Sequence, residues 1–154
     1  IIPAVFCLLY SNSGQIIINN TLNHKSRAVV GENFEQIFRV DANKINKLVI
    51  EIPRDEERNF VNATFRLRQV KDYGSENVIY NALITDRMIS NGKIFIDLNE
   101  LEISRDGHFV FSLLTTKRAR IWQNDYIDNN SQTFSYINGT LSNFNMVFCL
   151  YGKN

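Results

Sequence analysis

"VNATFRLRQV", residues 61–70, decides the fold class. Val61, Ala63, Phe65 and Leu67 fall on one side of an extended chain, and Asn62, Thr64, Arg66 and Arg68 on the other. Side chains alternate in a strand, so this is a half-buried strand with a solvated, cationic outer face. The same period of two recurs on both sides of it. "KLVIEI" sets Leu48, Ile50 and Ile52 together, and "KIFIDL" does so with Ile94, Ile96 and Leu98. "HFVFSLL" puts Phe109, Phe111 and Leu113 against Val110, Ser112 and Leu114, which predicts a strand buried on both faces. "FNMVFCLY" reads as one strand with Phe144, Met146, Phe148 and Leu150 on one face and Val147, Cys149 and Tyr151 opposite.

Turn chemistry separates these runs. "KDYGSEN", "SNGK", "SRDG" and "DNNS" hold the Asn, Asp, Gly and Ser residues that turns require, and "SNGK" is the clearest tight turn. "IPRDEERNF" stops a strand at Pro53 and continues as a charged, exposed loop, and "NALITDRMI" has room for one short helical turn. Eight or so short strands without crossover helices predict an all-β antiparallel β-sandwich of jelly-roll type. An immunoglobulin-like Greek key shares this periodicity. Its Cys…Trp…Cys order is absent in usable form, because Trp122 lies late and Cys7 and Cys149 lie at the extremes.

At 154 residues and 44% hydrophobic, the chain suits one domain with a substantial core. Two segments are expected: an apolar N-terminal stretch over 1–12 and a β-sandwich domain over 13–154. "IIPAVFCLLY" is half the length of a membrane span and fits a core strand, the end of a membrane helix, or a signal segment. Its opening Ile, in place of Met, is what a fragment or processed product would show. Seventeen Lys and Arg against sixteen Asp and Glu give a net charge of +1, which argues against nucleic acid as a partner. Cys7 and Cys149 sit in the similar words "VFCLLY" and "VFCLYG". They are either buried thiols or, if end strands are neighbours, a disulfide. Two histidines and no close cysteine pair argue against a zinc site. The four N-glycosylation sequons are of the kind an Asn-rich chain produces by chance.

Candidate ligand-binding residues gather in "RIWQNDYIDNNSQTFSYINGT", residues 120–140. Sugar recognition needs a flat apolar plate and planar hydrogen-bonding groups. Trp122, Tyr126 and Tyr136 offer plates, Asn124, Asp125 and Asn138 offer hydrogen bonds, and Arg120 offers a bidentate donor. Trp122 has a second reading, as the residue that seals one end of the sandwich core. Asp125, Asp128 and Asn130 are oxygen donors close enough in sequence to hold Ca²⁺, although not in EF-hand spacing; no other cofactor is expected. Asp97, Glu100, Glu102 and Asp106 cluster in sequence, but on a strand and its turn, and no Ser-His-Asp order or phosphate-binding Gly loop stands out. The expectation is that the chain is not an enzyme.

From Gly31 to about residue 152, the order of short words resembles the jelly-roll accessory domains of bacterial membrane-associated glycan-processing proteins, multi-pass glycosyltransferases among them. Those domains are themselves similar to carbohydrate-binding modules. The matching features are Gln36-Ile37-Phe38, the alternating run Asn43 to Ile52, the set Ser104, Gly107, Phe109 and Phe111, the pair Trp122 and Tyr126, the Asn138-Gly139 turn, and Phe148 with Tyr151. "IDNNSQ" stands where the family often has a Gly-containing turn after Tyr126. The resemblance implies a non-catalytic glycan-binding or glycan-positioning module with a carbohydrate partner. It implies a place in the cell envelope or secreted, with residues 1–12 as a truncated membrane-helix end or as the last strand of a preceding copy. The alternative is a structural adhesion or assembly domain acting through protein–protein contacts. Oligomeric state is not legible.

Overall fold

The structure, a computed structural model, describes residues 14–22, 25–70, 76–105, 107–124 and 134–153. Strands β1 (Gln15–Asn20), β2 (Arg27–Val40), β3 (Lys44–Glu51), β4 (Thr64–Val70), β5 (Glu76–Leu83) and β6 (Ile89–Ser90) occupy the first part of the chain. The later strands are β7 (Lys93–Glu102), β8 (Gly107–Asn124), β9 (Phe134–Ile137), β10 (Thr140–Ser142), β11 (Asn145–Met146) and β12 (Phe148–Lys153). They form a five-stranded sheet in the order β1-β12-β3-β7-β6 and a seven-stranded sheet in the order β10-β9-β2-β8-β4-β5, with β11 paired to β8. Every pairing is antiparallel. The chain passes between the sheets at β1–β2, β2–β3, β3–β4, β5–β6, β7–β8 and β11–β12, and its first and last strands lie side by side. That wrapped order is a jelly roll, the version of the antiparallel sandwich expected ahead of the Greek key that shares its alternation.

Period two predicts the core well. Ala63, Phe65 and Leu67 are buried, as are Leu48, Ile50 and Ile52, and Ile94, Ile96 and Leu98. Phe38 stacks on Phe109 at 5.8 Å between ring centroids, and Phe148 from the opposite sheet meets Phe111 edge-on at 5.3 Å. The contacts of Phe148 with Phe38 and Phe111 join the two layers in the fully buried core. Asn91 and Gly92 both take positive φ, 53° and 73°, and close the β6–β7 hairpin that "SNGK" predicted. Asn138 and Gly139 do the same between β9 and β10, at 51° and 81°. The short helical turn expected in "NALITDRMI" is the 3-10 turn Asp86–Met88.

Three expectations need correction. "HFVFSLL" is not buried on both faces: Val110 is, but Leu114 is 53% exposed on the outer side. "FNMVFCLY" is not one strand, because β11 pairs in the seven-stranded sheet and β12 in the five-stranded one, with the crossing at Val147. "IPRDEERNF" is not a solvated loop. It forms the 3-10 turn Arg54–Glu56 and then α1 (Glu57–Phe60), with Phe60 buried against Phe34. Residues 1–12, the "DNNS" turn and most of "KDYGSEN" lie outside the described residues. No described helix is long and apolar enough to cross a membrane.

One end of the sandwich has a polar interior. Gln36 is fully buried, and its amide nitrogen donates to the carbonyls of Ile37 and Phe134 and to Asn145 Oδ1. Its Oε1 accepts from the Met146 backbone N–H at 2.8 Å. Gln123, also fully buried, donates to Ser135 Oγ at 3.1 Å and Ser142 Oγ at 3.2 Å. Ser135 in turn donates to the Phe144 carbonyl. Polar groups removed from water must find partners, and here they find one another across β2, β8, β9 and β11. Gln36→Leu leaves the Met146 N–H without this acceptor in a dry interior. We expect a loss of about 2–3 kcal/mol, read from urea unfolding, with an unchanged m-value.

Candidate functional site

Of the residues singled out around Trp122, Tyr126, Asp125, Asp128 and Asn130 lie outside the described residues, and the Ca²⁺ expectation lies there with them. Among the described residues, no group of three or more His, Cys, Asp or Glu side chains is placed to hold a metal ion. Cys149 is a free thiol that donates to Asn19 Oδ1 at 3.1 Å; Cys7 is outside the described residues. Burial pushes the Cys149 thiol up, which keeps it protonated.

The remaining predicted residues take different positions. Asn124 is fully buried and donates to the Thr21 carbonyl at 3.1 Å. Asn138 sits in the β9–β10 turn, where its Oδ1 accepts from the backbone N–H groups of Glu32 and Asn33 at 2.9 and 3.0 Å. Trp122 is half-buried within β8, opposite Ala28 of β2, and alternates with the fully buried Ile121 and Gln123. It is therefore not in the core between the sheets. Tyr136 alternates in the same way with buried Ser135. Gln123 and Ser135 meet in the polar interior, and Trp122 and Tyr136, which alternate with them, face the other side of the sheet.

Arg120 is engaged as a clamp. Its Nε donates to Glu56 Oε1 at 2.7 Å, its backbone N–H to Glu56 Oε2 at 3.1 Å, and its Nη2 to Asp55. Asn59 donates to the same Glu56 carboxylate at 2.7 Å. Burial pushes the Glu56 carboxyl up, but the hydrogen bonds from Arg120, Asn59 and the Arg120 backbone outweigh it, and the acid is held below its ordinary value. The same contacts raise the Arg120 guanidinium: the bond to Glu56 first, then the charge of Asp55. This clamp fixes the turn and α1 against β8.

A concavity of the described surface lies elsewhere, on the outer face of the seven-stranded sheet. A groove of about 250 Å³ is lined by Asn33 and Glu35 of β2, Thr64, Arg66 and Arg68 of β4, and Ser112 and Leu114 of β8. Register builds it: Tyr136, Glu35, Ser112, Arg66 and Asn81 lie in one cross-strand row. Asn33, Leu114, Thr64 and Leu83 form the next. Above them, between Gly31 and Asn33 of β2, β8 runs from Leu114 to Ala119, so Thr115–Arg118 stands out as a bulge. Gly31 belongs at this bend, since a Cβ there would come within 2.8 Å of Ile137 Cγ2. Arg68 pairs with Glu35 at 2.6 Å and with Glu76. Arg66 is exposed and has no carboxylate partner among the described residues.

The groove residues were not singled out as a site from sequence, apart from Tyr136 at its side. The signal lies in the outward positions Thr64, Arg66 and Arg68 of "VNATFRLRQV", whose alternation by itself predicts only a solvated face. Of the clustered carboxylates, Asp97 accepts from the Asn99 backbone N–H at 2.9 Å and Glu100 pairs with Lys153 at 2.6 Å.

No protein-family model and no curated protein matches this sequence. Solved structures of similar fold do. A clostridial cysteine protease, Cwp84, after propeptide cleavage aligns over 84% of this chain with a TM-score of 0.53 and 11% identity. The cysteine protease and lectin-like domains of Cwp84, a surface-layer-associated protein of Clostridium difficile, align over 84% with a TM-score of 0.52 and 10% identity. This chain spans 40% and 36% of those two chains. At such identities the likeness is one of fold: an all-β sandwich.

Two measurements follow from these placements. Because the folded-state value of Glu56 is depressed below 4.5, its contribution is complete above that pH and is lost as pH falls through the lowered folded value. Glu56→Gln is expected to cost about 1–2 kcal/mol at neutral pH, allowing for solvent screening, and to flatten the acid limb of the stability curve, read by urea unfolding between pH 7 and pH 3. Trp122, the sole tryptophan, should show acrylamide quenching intermediate between a free indole and a core residue. Complete protection would contradict its half-buried placement.

Proposed function

We propose that this chain is a non-catalytic glycan-binding or glycan-positioning β-sandwich module, acting outside the cytoplasm as part of a membrane-anchored glycan-processing protein. The observation that carries the reading is the groove formed by β2, β4 and β8. It presents hydroxyl, amide and carboxylate groups from Ser112, Thr64, Asn33 and Glu35 beside the exposed apolar side chain of Leu114. That mixture suits a sugar, whose ring has an apolar C–H face and a rim of hydroxyls. Support also comes from the fold. It is shared with structures that include a lectin-like domain of a surface-layer-associated protein, and the sequence words resemble those of envelope accessory domains. The reading requires no metal and no nucleic acid.

A second reading, an adhesion or assembly domain, is favoured by one observation. β5 is an edge strand with Val78 48% and Leu83 57% exposed, and an edge of this kind can pair with another chain.

Amide NMR with a panel of neutral and acidic mono- and oligosaccharides separates the two. Saturable shifts are expected at Asn33, Glu35, Thr64, Arg66, Ser112, Leu114 and Tyr136. Ser112→Trp, which fills the groove from an outward position, should weaken binding by about tenfold or more with little change in melting temperature. Shifts that ignore every sugar but grow on β5 with protein concentration would favour assembly.

A further inference from the structure

We infer that the ligand of this groove is a glycan bearing a carboxylate, held through Arg66; this rests on the glycan-binding reading above. The argument is one of charge pairing within a single row and its neighbour. Arg66 and Arg68 are two residues apart on β4, so both face the groove. Both terminal nitrogens of Arg68 are paired, Nη2 with Glu35 and Nη1 with Glu76, while its Nε–H is buried without a hydrogen-bond partner. Arg66 lies between Ser112 and Asn81, both uncharged, and no carboxylate among the described residues reaches it. A neutral sugar seated over Arg66 would remove water from the guanidinium and return only hydroxyl contacts. A carboxylate would return two parallel charge-assisted hydrogen bonds, which the planar guanidinium is shaped to make. Glu35, already held by Arg68, does not oppose such an anion as a free carboxylate would. Leu114 remains available to the ring, and Ser112 and Thr64 to its hydroxyls.

The test is calorimetric titration of the whole chain with an oligomer of a hexuronic acid, with the neutral hexose oligomer of the same linkage and stereochemistry, and with acetate, each at low and high salt. The expected result is that the uronate binds about tenfold or more tighter than its neutral counterpart and loses that advantage at high salt. Acetate alone should bind far more weakly than either. Arg66→Gln, on an exposed position that leaves the core untouched, should bring acidic and neutral oligomers to within about twofold of one another, with the melting temperature little changed. Equal binding of the two oligomers to the wild-type chain, or a preference that survives Arg66→Gln, would overturn the inference and leave the glycan-binding reading in place. Acetate binding as tightly as the uronate would overturn it too, by showing an anion site without sugar recognition. Binding of neither oligomer would overturn both.

Discussion

At Val147 the chain leaves the seven-stranded sheet and enters the five-stranded one, and the rest of the sandwich depends on that crossing being held. On one side Val147 donates its N–H to the Trp122 carbonyl of β8; on the other its carbonyl accepts from the N–H of Glu51, the last residue of β3. One residue before it, the Met146 N–H is taken by Gln36 Oε1, and its carbonyl by Asn20 Nδ2. A strand that changes sheets cannot satisfy its backbone by continuous ladder pairing. These side-chain amides supply the missing partners in a place water does not reach. With the crossing fixed, β12 is seated between β1 and β3, and Phe148 enters the aromatic cluster with Phe38 and Phe111.

The same arrangement shapes the outer surface. Gln36 and Gln123 tie β9 to β2 and β8 from the buried side of the seven-stranded sheet. At Gly31 and the Thr115–Arg118 bulge the register between β2 and β8 shifts. Thr115 satisfies its hydroxyl on the carbonyls of Glu32 and Lys117. Below the bulge β2, β8 and β4 pair without a further register shift, and the groove lies on these three strands; the shift at Leu67/Arg68 is between β4 and β5. Its floor is therefore built from three strands whose geometry is set by the core beneath, in which Phe65, Phe111 and Leu113 are fully buried. Side chains raised on such a floor keep their spacing without support from loops.

Alternation made the strands legible, because it is a local property: Phe65 and Leu67 carry their burial in their own spacing. The interactions that decide the rest are not local. Gln36 and Met146 are 110 residues apart, and Arg120 and Glu56 are 64 apart. No window of sequence shows that a glutamine in a hydrophobic strand will be needed by a backbone amide elsewhere. For the same reason "RDEERN" reads as solvent-facing charge, when two of its acids, Asp55 and Glu56, are held by Arg120. The aromatic and Asn-rich stretch around Trp122 drew attention by composition, yet Asn124 and Asn138 are occupied by backbone groups. Composition shows which chemistries are present; it does not show which donors have already been used.

The groove illustrates what register adds to parity. Glu35, Ser112 and Arg66 each face outward in their own strand, and that much alternation gives. Their alignment in one row requires β2, β8 and β4 to pair without slipping. A shift of one residue in β4 would turn Arg66 and Arg68 inward and Phe65 and Leu67 out. The buried aromatics forbid that slip, since it would expose Phe65 and Leu67 and bury two guanidinium groups. The hydrophobic face of "VNATFRLRQV" thus fixes the position of its polar face. The surface chemistry of the sheet is determined by the core it never touches.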